Sequence, residues 1–111
     1  MDPNLIRGTV PTLILSVLSE KPSYGYDISE TIKARTQNRL KLSVAALYTT
    51  LKRLEDQGLI CPCEGLQQGA RERRYYQITD EGAAFLKSKR SEWNDFAQMA
   101  DLVFSGGAPK A

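Results

Sequence analysis

The 111-residue sequence contains no histidine, so the commonest general base and the commonest zinc ligand are both missing. No nucleophile–base pair or metal cluster can be assembled around an imidazole, and neither an enzymatic site nor a cofactor or metal site is expected. Cysteine is scarce: there are 2, Cys61 and Cys63. In an extended strand they point to the same face, in a geometry that seldom closes a disulfide, and they read as reduced strand residues. Long hydrophobic runs are absent too. The longest, Val10 to Leu18, is interrupted by Pro11, Thr12 and Ser16 and falls short of the ~20 residues that span a bilayer. No membrane segment and no secretory signal is visible, which makes a cytoplasmic location the expectation.

Net charge is also small, at +2, and by itself argues for no polyanionic partner. Its distribution does. Between Lys33 and Arg74 nine basic residues face four acidic ones, a local +5, whereas from Thr79 to Ser105 three basic residues face five acidic ones. The middle of the chain suits a polyanion and the end does not. At 41% apolar and 25% charged residues, the composition is that of one ordinary globular domain.

Val10, Leu13, Ile14, Val17 and Leu18 recur at helical spacing, which predicts a helix starting near Thr9, with Pro11 tolerated in its first turn. Lys21-Pro22-Ser23 breaks the pattern, and Ser23 can cap a second helix carrying Tyr24, Ile28 and Ile32 and ending near Arg35 or Thr36. Ser43 is a candidate cap for a third helix with Val44, Leu47, Leu51 and Leu54 on one stripe, stopped by Gly58. Ala45, Thr49, Lys52, Arg53 and Asp56 fall on its other side, with Tyr48 between the faces. Such a helix is either a merely solvated surface or a reading head. Leu59 to Glu64 and Glu72 to Ile78 read as two strands around a Gly65 to Arg71 loop, the first at an edge because Pro62 cannot donate to a ladder. Tyr76 and Ile78, on one side of the second strand, are expected to pack on the helices.

Thr79 caps a long last helix with Asp80 and Glu81 in its first turn, where Gly82 costs a little stability. Leu86, Trp93, Ala97, Ala100 and Phe104 sit at heptad-like intervals, flanked by Phe85, Phe96 and Val103, and so wide a stripe calls for a partner helix. The order helix, helix, helix, strand, loop, strand, helix is that of a winged helix-turn-helix. The expected architecture is therefore mainly α with a small β-hairpin: a DNA-binding domain over residues 1–79, a C-terminal dimerisation helix over 80–104, and a disordered tail over 105–111.

Four blocks sharpen this. Leu13 to Leu18, Tyr24-Gly25-Tyr26-Asp27-Ile28, Ala46 to Glu55 running on to Gly58-Leu59-Ile60, and Arg74 to Gly82 together resemble the PadR-like transcriptional regulators, in particular the short subgroup with a single C-terminal helix. The resemblance covers roughly residues 5 to 104, and the Cys61-Pro62-Cys63 strand departs from it. It implies a dimeric regulator, usually a repressor, that binds double-stranded DNA at an inverted repeat and is released by a small molecule or another signal. On that resemblance the third helix becomes the recognition helix. Ser43, Ala45, Tyr48, Thr49, Lys52 and Arg53 are its candidate contacts, Lys52 and Arg53 to phosphates and Ala45 and Thr49 to thymine methyls or base edges. Gly69, Arg71 and Arg73 are assigned to the wing, and Tyr24 either to a phosphate or to the core.

Phe85, Leu86, Trp93, Phe96, Ala97, Ala100, Val103 and Phe104 are the candidate dimer interface. Trp93 has two readings, packing in the seam or, with Phe96, walling a cavity for a flat aromatic effector as in some small members of the family. The rival from another class is a winged-helix protein-interaction module without DNA binding, against which the arginines around the wing argue.

Overall fold

A computed structural model gives the structure of residues 3–63 and 74–106, with side chains described from residue 8 onward. The chain runs α1 (Pro3–Leu18), β1 (Ser23–Tyr24), α2 (Gly25–Arg35), α3 (Val44–Asp56), β2 (Ile60–Cys63), β3 (Tyr75–Ile78) and α4 (Asp80–Phe104). α1 packs against α2, α3, β3 and α4. The core formed there holds Ile14, Leu15, Ile28, Leu51, Leu54 and Ile60, all essentially without solvent contact.

α1 begins six residues earlier than the periodicity predicts, with Pro11 inside it rather than in its first turn. Pro3 takes the opening position, where its missing N–H and fixed φ cost nothing. Pro11 forfeits one i→i−4 bond, and the burial of Val10, Ile14, Leu15, Val17 and Leu18 holds the helix through it. Ser23 does not cap α2. It lies in β1, and α2 has Tyr24 at its N-cap with no side-chain cap bond. β1 pairs antiparallel with β3, Ser23 opposite Tyr76 and Tyr24 opposite Tyr75, so the expected two-stranded hairpin is a three-stranded sheet of order β1-β3-β2. β2 is the edge strand that Pro62 requires.

Helix ends follow local chemistry closely. Ser43 Oγ accepts from Ala46 N at 3.1 Å. Gly58, at φ +75°, ends α3 with its own N–H donating to Glu55 O and Leu59 N donating to Leu54 O at 3.0 Å, the paired bonds of a Schellman stop. α2 closes the same way, but with Gln37 and Asn38 at φ 56° and 66° where glycine is usual, Asn38 N donating to Lys33 O at 2.8 Å. Thr79 Oγ1 accepts from Gly82 N at 3.0 Å and donates to Gly58 O at 2.7 Å, so one hydroxyl both starts α4 and ties it to the end of α3.

Gly82 is a requirement of packing, not a weak point in its turn. It is buried, and a Cβ there would land on the Leu59 carbonyl oxygen and 2.7 Å from Ile78 Cγ1. Beyond Leu86, α4 leaves the core. The Cα radius of gyration is 16.6 Å, against about 13 Å for a compact chain of this size. Ser105 and Gly106 complete the C-terminal turn of α4, and the remainder of the expected tail, 107–111, lies outside the described residues.

Candidate nucleic-acid interface

The apolar stripe of α3 buries Leu47, Leu51 and Leu54, which fixes the opposite face outward. Ser43, Ala45, Tyr48, Thr49, Lys52 and Arg53 are all exposed on or just before this helix, so the six candidate contacts of the third helix share one solvent-facing surface. Ser43 already has a structural duty, since its oxygen holds the cap. Lys52 reaches Asp56 at 3.7 Å, with side-chain exposures of 79% and 65%, a pair so solvated that it restrains the ammonium little. Val44 departs from the expected core stripe: it is 74% exposed, although Leu47 in the same turn is buried. It joins the outward face, one turn before Tyr48.

Tyr48 is held by a close approach. A Cβ added at Gly25 would stand 2.7 Å from Tyr48 Oη, so the phenol lies across the first residue of α2, and only glycine leaves room for it. Tyr24 is half-buried, with its ring 5.1 Å from that of Tyr75 and stacked at 6.5 Å on Tyr26. The ring packs on its aromatic neighbours at the edge of the sheet and is not part of the buried core. Tyr26, 63% exposed, extends the aromatic surface toward solvent and was not among the candidate site residues read from the sequence.

A partly solvated ion pair joins the start of β3 to α3. Arg74 Nη2 lies 3.2 Å from Glu55 Oε2 and its guanidinium sits 5.7 Å from the centre of the Tyr76 ring. Burial pushes the Tyr76 phenol above its ordinary pKa. The wing candidates Gly69, Arg71 and Arg73 lie outside the described residues.

An open groove of about 1280 Å³ runs between α1, the turn after α2 and α4, with Leu13, Arg35, Leu40, Leu86, Trp93 and Phe96 in its wall. Arg35 is clamped there by Glu20, both guanidinium nitrogens at 2.6 Å from carboxylate oxygens, which lowers the Glu20 pKa and raises that of Arg35. The stripe on α4 divides at this groove. Leu86 is buried at 5% and Phe85 packs partly against the core, so both are used within the subunit instead of lying in a free seam. Ala97 and Ala100 are half-buried, while Trp93, Phe96, Val103 and Phe104 are 52%, 61%, 72% and 82% exposed. Met99 and Leu102, at 58% and 50%, broaden the apolar surface beyond the heptad positions that periodicity picks out.

A family model described as the transcriptional regulator PadR-like family matches residues 14–88. Among the solved structures similar over nearly the whole chain are two regulators at 30% identity or more. A transcriptional regulator from Clostridium thermocellum has 38% identity and a TM-score of 0.82, covering 91% of this chain and 95% of that one. A PadR family transcriptional regulator from Eggerthella lenta has 30% identity and a TM-score of 0.81, covering 94% and 88%. The transcriptional regulator YqjI of Escherichia coli is 31% identical over 86 residues, which are 78% of this chain but 40% of that longer protein. Among the described residues no helix is long and apolar enough to cross a membrane.

Proposed function

The chain belongs to the PadR-like family of transcriptional regulators, which are not enzymes, and from that premise we propose that it is a homodimeric, sequence-specific DNA-binding repressor of the cytoplasm. Residues 1–79 form the DNA-binding unit, 80–104 the dimerisation helix and 105–111 a tail. The observation that carries the reading is the solvent face of α3, which collects Ala45, Tyr48, Thr49, Lys52 and Arg53 on a helix whose other face is locked into the core. Small side chains at 45 and 49 let the helix lie deep in a major groove, and Lys52 and Arg53 reach phosphates. Arg71 and Arg73 add phosphate contacts from the wing, beside Gly69.

Dimerisation uses Trp93, Phe96, Ala97, Ala100, Val103 and Phe104, because an apolar surface of this extent is unfavourable in water. A two-fold dimer presents two α3 helices to successive major grooves, about one helical turn apart, which matches an inverted repeat. Trp93 and Phe96 wall the groove beside α1, which supports a flat aromatic effector that relieves repression by favouring one dimer geometry.

The test is fluorescence anisotropy on random and selected duplexes across a salt series. A DNA reader shows a steep fall of log affinity with log salt. A flat response, with no duplex bound at low salt, would instead favour the protein-interaction module.

A further inference from the structure

Register divides the sheet into two faces. Ile60 pairs with Ile78 and Pro62 with Tyr76, and the burial of Ile60 and Tyr76 turns those two side chains toward the helices, while Pro62 is exposed where β2 runs past the core. The alternate set, Cys61 opposite Gln77 and Cys63 opposite Tyr75, therefore looks outward. Both cysteines are free and half-buried, and Gln77 Nε2 donates to Cys61 Sγ at 3.6 Å.

We propose that Cys61 and Cys63 form a two-coordinate site for a soft, thiophilic metal ion of the copper(I) class. Residues two apart in a strand are separated by about 6.8 Å, whereas a disulfide needs its Cβ atoms within about 3.5–4.5 Å. The spacing that keeps the two thiols from oxidising onto each other leaves room for an ion. With the zinc–thiolate length of about 2.3 Å as the guide, two metal–sulfur bonds in line span about 4.6 Å, so each sulfur leans inward by only about 1 Å.

Ligand number decides which ion. Structural zinc wants four donors, and no group of three or more His, Cys, Asp or Glu residues stands together among the described residues. Thiolate softness selects copper(I) instead. Each thiol loses its proton to solvent as its sulfur–copper bond forms, so two protons leave for one ion and no oxidant or reductant is consumed. The Gln77 amide, already directed at the Cys61 sulfur, stabilises the thiolate from outside the metal's own ligands. Nothing in the site depends on DNA binding.

The experiment is an anaerobic titration of the full chain with copper(I) against the chromogenic chelator bicinchoninate. One ion per chain is expected, with Cys61→Ser and Cys63→Ser each competing no better than the double variant, and Gln77→Leu weakened roughly tenfold. On the unsubstituted protein, bound copper(I) protects both thiols from iodoacetamide, a readout that owes nothing to how the variants fold. A single-serine variant that holds the ion as tightly as the parent overturns the proposal. So does half an ion per chain with two copies cross-linked, alkylation unaffected by copper(I), or diamide closing the pair into an intrachain disulfide in the intact mass.

Discussion

At the scale of single residues, three positions carry constraints that the neighbouring sequence does not show. Gly82→Ala drives a methyl group into the Leu59 carbonyl and Ile78, neither of which can swing away, and is expected to cost at least about 2 kcal/mol in urea unfolding. Gln37→Gly removes a left-handed residue at φ 56° and is expected to stabilise by about 0.5–1 kcal/mol; a loss of stability would mean that the Gln37 side chain contributes more than its backbone costs. Gly25→Ala meets only the far end of Tyr48. It should leave the melting temperature nearly unchanged while displacing the phenol, and anisotropy should then show weaker duplex binding if Tyr48 contacts DNA.

The Glu20–Arg35 pair is legible only in space, since 15 residues separate the partners. The hydrogen bonds from Arg35 hold the folded-state pKa of Glu20 below its ordinary carboxylate value, so its contribution is present above the unfolded carboxylate pKa and disappears as pH falls through the lowered folded value. Thermal melts of the parent and Arg35→Gln should differ at neutral pH and converge in acid below that folded value, with the difference shrinking in high salt because both side chains are exposed. A gap that persists in strong acid would assign the effect to Arg35 packing.

At the scale of elements, α3 illustrates how a local pattern and a tertiary role coincide. Its cap at Ser43, its buried stripe at Leu47, Leu51 and Leu54 and its stop at Gly58 were all readable, because capping and amphipathicity act within one or two turns. Val44 was not, as its exposure depends on where the core ends. The division of labour on the outward face gives an expected result: Lys52→Ala and Arg53→Ala each weaken binding to all duplexes about equally and reduce the salt slope by about 1, whereas Thr49→Val changes sequence preference with the slope intact. Reversal of the two patterns, read by anisotropy on a duplex panel, would exchange the roles.

At the scale of the whole molecule, the projecting end of α4 is the feature that an isolated subunit leaves unexplained. Exposure of Trp93, Phe96, Val103 and Phe104 is expected to vanish in a dimer. Phe96→Glu combined with Phe104→Glu should convert the protein to monomers in sedimentation equilibrium without unfolding residues 8–90, whose core holds neither side chain. A full-length parent that sediments as a monomer at micromolar concentration removes the assignment. Titration of flat aromatic compounds, followed by Trp93 emission and duplex affinity together, then separates a regulatory pocket from simple packing: quenching must be accompanied by a change in affinity.

The sequence by itself determined the four helices, with both ends of α3 and α4 but not the starts of α1 and α2, the edge position of the Pro62 strand and the outward face of α3, because hydrophobic period, caps and breakers act over a few neighbouring residues. Only the tertiary structure decided the rest. β1 exists because Ser23 and Tyr24 meet β3 from some fifty residues away. Gly82 is fixed by the approach of the Leu59 carbonyl, and Gly25 leaves the place in which the Tyr48 phenol lies, contacts with no local signature. Leu86 was read as part of a seam and belongs to the core, since a heptad stripe says which side of a helix is apolar but not where along its length one covering surface ends and the next begins.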